Sequence, residues 1–199
     1  IASDVVMHNE VISFKVNGYD YECNLLGVHQ ASNAAGVIGV LETMGVDAMS
    51  IKEGLKHVSL TSLRTEILQH HESLILLDAY KSNPDSTTYA IDILETYDYD
   101  GKKDVILSDM VELGEHSLAS HIKILEVLSA SSVDTVVLMG LEFKKALAFV
   151  DLGEKTIISV DDYQALVPIA LDLFARPYMI LIKGSRSYAL ERLLKEDSL

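Results

Sequence analysis

The chain has 199 residues, of which 49% are hydrophobic and 23% are charged, and its formal net charge is −14 at pH 7. These values are typical of a globular protein, and the acidic balance argues against a nucleic-acid partner, because phosphate backbones are held by clustered Lys and Arg. The single cysteine, Cys23, excludes an internal disulfide, and no apolar run is long enough to span a bilayer. With no signal-peptide pattern at its start, the chain is expected in the cytoplasm.

The opening region contains two β segments followed by two helical segments. Residues 11–16 and 19–24 alternate in polarity and are joined by Asn17-Gly18, a strong hairpin signal because both residues accept positive φ. Apolar residues at helical spacing predict a helix over about 30–44, and a second, short helix is expected over 49–58. Two strands are too few for a sheet with its own core, so we expect this region to be the end of a larger domain.

From residue 63 onwards, apolar strands and amphipathic helices alternate regularly. Strands are predicted over 64–70, 73–79, 104–109, 135–140, 156–160 and 178–184, and helices over 85–97, 117–130, 141–150, 162–175 and 186–195. This alternation is typical of an α/β domain with a Rossmann-like, mostly parallel six-stranded sheet covered by helices on both faces. The first two strands are too close in sequence to be parallel, so that pair is expected to be antiparallel. The predicted domains are therefore 1–62 and 63–199.

Polar residues stand directly after three of the predicted strands, where open α/β sheets bind their ligands. They are Asp78, Tyr80 and Asn83 after the second strand, Asp109 and Glu112 after the third, and Lys183, Ser185 and Arg186 after the last.

Each of these groups has a functional and a structural interpretation. A carboxylate at Asp78 could accept both hydroxyls of a ribose, or it could cap a turn while Asn83 caps the helix before Pro84. Gly184 and the cations beside it could form an anion site at a helix N-terminus, or a loop whose cations lie in solvent.

Three further patterns leave alternatives open. Asp109 at a strand end could be the phosphoacceptor of a receiver domain with Lys183 as its partner, although the acidic pair that receivers need is missing after the first strand. His116 and His121 lack a third metal ligand of suitable spacing, so we interpret them as ordinary polar helix residues. Asn33 could pair with an adenine edge through its amide, or cap its helix.

Five segments, in this order, resemble motifs of the Mur ligase family. They are HQASNAAGVIGVLETMGV, SLRTEI, LLDAYKSNPDS, SDMVELGEHSLASH and LIKGSRS. The resemblance covers roughly residues 25–195 and is strongest to the branch that joins D-alanyl-D-alanine to a UDP-linked muramoyl tripeptide. It implies that residues 1–62 end the central ATPase domain and that residues 63–199 form the C-terminal domain of a peptidoglycan precursor ligase.

The resemblance also implies roles for individual residues. The nucleotide side would comprise Asn33 at the adenine, Arg64 at the phosphates, Asp78 at the ribose, and Tyr80 and Asn83 near the base or its phosphates. The side facing the incoming amine or the acyl-phosphate would comprise Asp109, Met110, Lys183, Ser185 and Arg186. The implied ligands are ATP, Mg²⁺, a UDP-linked muramoyl peptide, and D-alanyl-D-alanine or a similar amine.

Several positions depart from the family pattern, and one motif is missing. Gln30, Lys81 and Ser108 replace Asn, Asn and Gly. They leave open a related ligase with another acceptor, such as a folylpolyglutamate or cyanophycin ligase, or a non-catalytic nucleotide-binding or interaction module.

No G-x-x-x-x-G-K-S/T loop is present, so we expect the phosphate loop and the magnesium ligands to lie elsewhere in a longer enzyme. This segment alone is expected to be inactive and to move on a hinge at 59–64.

Overall fold

The computed structural model describes residues 1–8, 10–58 and 62–196. The chain divides into two compact units, Ile1–Thr61 and Ser62–Leu199. Residues 59–61, the first half of the predicted hinge, lie outside the described residues. None of the helices in the described ranges is long and apolar enough to cross a membrane.

The first unit is a three-stranded antiparallel sheet with two helices. The strands are β1 (Ser3–His8), β2 (Val11–Val16) and β3 (Tyr19–Cys23), in the order β1-β2-β3, and the helices are α1 (His29–Thr43) and α2 (Ala48–Lys56). The β2–β3 hairpin is confirmed, with φ of +51° at Asn17 and +83° at Gly18.

This unit has a hydrophobic core of its own, so the expectation that it could not form one was wrong. The core comprises Ile12, Phe14, Val16, Tyr21, Cys23, Ala31, Ala34, Ile38, Ile51 and Leu55. The sequence pattern missed β1 because this edge strand buries no side chain fully and its register with β2 shifts between Ser3 and Val6. Such a strand lacks the strict alternation that marks a half-buried strand.

The second unit is the predicted α/β domain. Its strands are β4 (Glu66–His70), β5 (Ser73–Asp78), β6 (Lys103–Ser108), β7 (Thr135–Met139), β8 (Thr156–Val160) and β9 (Met179–Lys183). Its α-helices are α3 (Pro84–Thr96), α4 (Ser117–Ser129), α5 (Leu141–Ala146) and α6 (Tyr163–Phe174). The six-stranded sheet has the order β4-β5-β9-β6-β7-β8, with β4 antiparallel to β5 and the other neighbours parallel. The fold class and the antiparallel first pair are thereby confirmed.

The last predicted helix, 186–195, is wrong in type. The segment forms two 3₁₀ helices, Arg186–Tyr188 and Leu190–Lys195, separated by Ala189, whose φ is +48°. A left-handed residue cannot continue an α-helix, because its carbonyl leaves the helix axis. Leu190 and Leu193, three residues apart, are buried in the core beneath the sheet, which favours the three-residue turn at this position.

Asp104 places an ionisable carboxyl group inside the protein, at the amino end of β6. Its side chain is fully buried, Oδ1 accepts a hydrogen bond of 2.9 Å from the Thr135 N–H, and Oδ2 has no partner among the described residues. Burial raises the pKa of this carboxyl above its ordinary value, and the Thr135 hydrogen bond only partly opposes the shift. The folded state therefore binds a proton more tightly at Asp104 than the unfolded state does.

We expect Asp104→Asn to stabilise the chain at neutral pH by about 1 kcal/mol. The amide oxygen of Asn can still accept the hydrogen bond from the Thr135 N–H, and the neutral side chain leaves no charge to bury. Below the unfolded pKa of about 3.9 both states are protonated, so the substitution has no charge effect there. As pH rises through the raised folded pKa, the wild-type chain loses stability and the difference from Asp104→Asn grows. Denaturant unfolding between pH 3.5 and 8 measures this, with the exposed Asp100→Asn as control, and a difference independent of pH would contradict it.

Candidate functional site

The sheet order brings three polar strand ends together. Because β9 lies between β5 and β6, its last residue, Lys183, is the register partner of Asp78 on one side and of Leu107 on the other. The segments that follow these three strands therefore start side by side at the carboxyl edge of the sheet. Chain order alone would have separated them, since β9 is the last strand and β5 and β6 are the second and third of this sheet.

Lys183 and Asp78, the last residues of β9 and β5, form an ion pair. The Lys183 Nζ donates to Asp78 Oδ2 at 2.7 Å and to the Lys81 carbonyl at 2.9 Å. The Lys183 side chain is fully buried, whereas that of Asp78 is 14% exposed. Burial lowers the pKa of Lys183, and the neighbouring Asp78 carboxylate opposes that shift. A lysine cation this deeply buried depends on its carboxylate partner.

Two arginines lie close to the Tyr80 ring. The Arg64 guanidinium carbon lies 4.4 Å from the centre of the Tyr80 ring, and the Arg186 guanidinium carbon lies 5.8 Å from it. Both arginines are exposed, and within the described residues neither forms a salt bridge with a carboxylate. The two cations converge on one aromatic ring at the strand edge, a geometry suited to an anionic ligand.

The backbone before β4 fixes the approach of Arg64 to this ring. Leu63 and Thr65, on either side of Arg64, adopt left-handed conformations with φ of +66° and +48°. The Leu63 N–H donates to Glu66 Oε1 at 2.6 Å, and the Leu63 carbonyl accepts from the Tyr80 N–H at 3.1 Å. The Arg64 segment and the Tyr80 loop are thus held together by backbone as well as side chains.

Asn83 begins α3, as the structural interpretation of the sequence expected. Its side chain accepts a hydrogen bond of 2.9 Å from the Ser86 N–H, and the Ser86 hydroxyl accepts one of 3.2 Å from the Asn83 N–H. This reciprocal capping box, followed by Pro84, fixes the helix start. An open cleft of about 510 Å³ runs from Asn83 to the first turn of α4.

Asp109 is turned into the protein. Its Oδ2 accepts from the Glu142 N–H and its Oδ1 from the Phe143 N–H, both at 2.9 Å, so it caps the N-terminus of α5. Gly140 makes room for it, since a Cβ on Gly140 would lie 2.3 Å from the Asp109 Cγ. With both oxygens engaged and only 6% of the residue exposed, Asp109 lacks the accessibility that a receiver phosphoacceptor needs.

His121 supports the same loop. It is fully buried, its Nε2 accepts a hydrogen bond of 2.9 Å from the Met110 N–H, and its Nδ1 therefore donates to the Ser117 carbonyl at 2.7 Å. His121 lies in α4, as a helix residue, and the sequence did not show that its imidazole anchors the backbone at Met110. Met110 itself is buried, with its Sδ 3.9 Å from the Thr87 hydroxyl.

Two buried hydroxyls at this edge lack partners. Neither Ser108 Oγ, at the end of β6, nor Ser185 Oγ, just after β9, has a hydrogen-bond partner among the described residues. Ser108 fills the space beside Gly184, where an added Cβ would lie 2.4 Å from the Ser108 Oγ. Unpaired buried hydroxyls are costly, so such groups are common where a ligand completes them.

Asn33 lies in the first unit, and the other predicted site residues lie in the second. It is exposed on α1, and its Nδ2 donates to Gln30 Oε1 at 2.9 Å. The predicted residues of the second unit fall into two groups. Beside the carboxyl ends of β5 and β9, Arg64 and Arg186 contact Tyr80, and Lys183 contacts Asp78, with Asn83 and Ser185 in the loops that follow. Asp109 and Met110 belong to the α4–α5 side. Their roles toward a ligand stay predictions.

The sequence did not reveal Gly140, His121 or the Lys81 carbonyl as parts of this edge. A signal existed for Gly140 alone, because a glycine between an apolar strand and a helix often permits a close approach. The others are recognisable only from their partners in space.

Known proteins share this fold and these segments. Residues 63–186 match the family described as Mur ligase, glutamate ligase domain. The chain is 30% identical over 181 residues to the UDP-N-acetylmuramoyl-tripeptide–D-alanyl-D-alanine ligase of Borreliella burgdorferi, covering 91% of this chain and 39% of that protein.

Solved structures of longer enzymes contain the same fold. A crystal structure of MurF from Acinetobacter baumannii superimposes with a TM-score of 0.84 at 23% identity, covering 98% of this chain and 44% of that one. MurF ligase from Thermotoga maritima in complex with ADP gives a TM-score of 0.76 at 24% identity over 98% of this chain and 45% of that one. The chain thus spans about two fifths of the length of the curated relative from Borreliella. On its family match and its fold, this chain belongs to the Mur ligase family.

Proposed function

We propose that this chain is the C-terminal part of an ATP-dependent ligase that adds D-alanyl-D-alanine to a UDP-linked muramoyl tripeptide in peptidoglycan precursor synthesis. The carrying observation is the convergence of Arg64 and Arg186 on Tyr80 beside the Asp78 carboxylate, at the edge where three strands end. The name of the Borreliella relative supports the choice of substrates. Residues 1–62 would be the end of the central ATPase domain. The reaction would take place in the cytoplasm, which supplies ATP and the UDP-linked substrate.

The nucleotide side follows from charge and hydrogen-bonding capacity. Asp78 keeps one carboxylate oxygen free of partners among the described residues, and that oxygen can accept from the ribose hydroxyls. The Arg64 guanidinium can bind phosphate oxygens bidentately. The resemblance placed Arg186 on the side of the incoming amine or the acyl-phosphate, but its contact with Tyr80 favours a phosphate contact beside Arg64. Asn83, at the start of α3, would lie near the base or its phosphates. For the first unit, Asn33 is proposed to contact the adenine through its side-chain oxygen.

The acceptor side would be formed by the loop after β9 and the loop after β6. Ser185 offers a buried hydroxyl without a partner, which an amine or carboxylate of the acceptor could complete. Asp109 and Met110 would act by shaping this loop, because their polar groups are held by α5 and His121. We assign no residue of this chain to proton transfer.

The reaction implied by this proposal has two steps. The γ-phosphoryl group of ATP passes to the terminal carboxylate of the muramoyl peptide, releasing ADP and forming an acyl-phosphate. The amine of D-alanyl-D-alanine then attacks the acyl carbon, and inorganic phosphate leaves as the amide forms. Cations aimed at the phosphates favour both steps by stabilising the charge on the transferred group.

Magnesium would be held outside this segment. The described residues contain no group of three or more His, Cys, Asp and Glu side chains placed to hold a metal ion. Of the acidic side chains after these strands, Asp109 has both oxygens bonded to α5 and Asp78 has one oxygen bonded to Lys183. The exposed Glu112 lies 3.7 Å from the Lys81 ammonium. We therefore propose that the ligands of the ion lie elsewhere in the longer enzyme, and we derive no step from the ion.

The longer enzyme that contains this chain tests the proposal directly. We expect ADP release that requires both a UDP-muramoyl tripeptide and D-alanyl-D-alanine, and no ADP release from residues 1–199 alone. In the longer enzyme, Asp78→Ala should raise the KM for ATP at least tenfold, because a ribose acceptor is lost. The exposed Asp98→Ala is the matched control and should leave that KM unchanged.

Other outcomes would identify the alternatives. Stimulation by a different amine, with none by D-alanyl-D-alanine, would indicate a related ligase with another acceptor. ADP binding without turnover under any substrate pair would indicate a non-catalytic nucleotide-binding module. Absence of any nucleotide binding would refute the proposal.

A further inference from the structure

Lys183 belongs to the segment after β9 by sequence, yet its cation faces the loop after β5. The Nζ is fully buried, so it presents no surface to a substrate. Its contacts are Asp78 Oδ2 at 2.7 Å and the Lys81 carbonyl at 2.9 Å. Asp78 precedes Tyr80 in the chain and Lys81 follows it. One ammonium group therefore holds both ends of the segment that carries the Tyr80 ring.

This arrangement fixes the orientation of Asp78. One carboxylate oxygen is taken by Lys183, while no donor among the described residues contacts the other, on a side chain that is 14% exposed. A carboxylate held at one oxygen can rotate little, so the second oxygen stays directed outward. The Lys81 contact in turn stabilises the course of the backbone toward Asn83 and the start of α3.

We propose that Lys183 is a positioning residue for the nucleotide and makes no contact with the acceptor amine. It acts through Asp78 and the Lys81 carbonyl, and it links the acceptor segment, Gly184-Ser185, to the nucleotide loop, residues 78–83. The assignment of that loop to a nucleotide rests on the function proposed above. Family motifs group Lys183 with Ser185 and Arg186, whereas its contacts place it with Asp78.

The chain offers a matched control for a buried lysine. Lys103 is also buried, at 9% exposure, and its Nζ donates to two backbone carbonyls, those of Glu95 and Tyr97, at 2.9 and 3.1 Å. It stands at the amino end of β6, the opposite edge of the sheet from Lys183. Each of Lys103→Met and Lys183→Met removes a buried ammonium group that donates to backbone carbonyls, and only Lys183→Met also breaks an ion pair.

Hydrogen exchange in residues 1–199 tests the positioning role without any nucleotide. Lys183→Met should accelerate amide exchange in residues 79–83 at least tenfold, whereas Lys103→Met should accelerate exchange near residues 95–97 and leave 79–83 unchanged. If Lys183→Met proves unstable, the double variant Lys183→Met with Asp78→Asn removes the unpaired charge and restores a neutral interior. If amide exchange in residues 79–83 were unchanged in Lys183→Met and in the double variant, the proposal would be overturned.

Assays of the longer enzyme distinguish a role of Lys183 in positioning the nucleotide loop from a role in contacting the acceptor amine. Lys183→Met should raise the Kd for ADP at least tenfold and keep the KM for D-alanyl-D-alanine within twofold. In an Asp78→Asn background the same substitution should raise the ADP Kd threefold or less, because the residues act as a unit. A raised acceptor KM with an unchanged ADP Kd would assign Lys183 to the acceptor and overturn the proposal. If the wild-type enzyme bound no ADP, the proposed function would fail, while the exchange result would still report on positioning.

Discussion

Gly140→Ala is expected to lower the free energy of unfolding by about 3–5 kcal/mol, a large effect for a single added methyl group. Gly140 has φ of +124° and ψ of +168°, a conformation essentially restricted to glycine. A Cβ there would also lie 2.3 Å from both Cγ and Oδ2 of Asp109. The carboxylate cannot move aside without releasing the Glu142 and Phe143 amides that it caps.

Chemical denaturation of residues 1–199 measures this effect. Gly153→Ala is the matched control, because Gly153 also has positive φ, +66°, but an added Cβ meets nothing within 4 Å. The control should cost only about 1–2 kcal/mol, the usual price of a left-handed non-glycine residue. Equal losses in the two variants would mean that the Asp109 cap contributes nothing to the sensitivity of Gly140.

Replacing both arginines that lie close to the Tyr80 ring is expected to weaken ADP binding by the longer enzyme about 100-fold. Arg64→Ala and Arg186→Ala should each cost about tenfold, the usual effect of losing one charge-assisted contact with a phosphate. The two guanidiniums lie 4.4 and 5.8 Å from the Tyr80 ring, so both are in place before a ligand binds. Because the site is exposed, added salt should weaken wild-type binding and affect the double variant less.

Calorimetric titration with ADP at two salt concentrations distinguishes this from a general loss of positive charge. The control is Arg176→Ala, an arginine that lies 5.9 Å from the ring of Tyr178 and pairs with Asp172, away from the strand edge. Its removal should leave the ADP Kd unchanged. If Arg186→Ala altered only the acceptor KM, the nucleotide side would be limited to Arg64.

The predictable part of the fold rested on local patterns. Asn17-Gly18 marks a hairpin because its two residues can both adopt positive φ, which the structure confirms. The apolar runs before Asp78 and Lys183 mark buried parallel strands because a sheet covered on both faces needs no alternation. The β1 strand and the 3₁₀ segments around Ala189 escaped detection, because an exposed edge strand and a left-handed break leave no periodic signal.

By itself, the sequence determined the family, the α/β class and the residues that stand at the strand ends, because these depend on residue type and short-range spacing. Only the tertiary structure decided which of those residues act together. Lys183 and Asp78 are 105 positions apart, and Asp109 and Phe143 are 34 apart, yet each pair is in direct contact. Insertion of β9 between β5 and β6 sets the first contact, and the pairing of β6 with β7 sets the second. Strand order depends on long-range packing that no local pattern records.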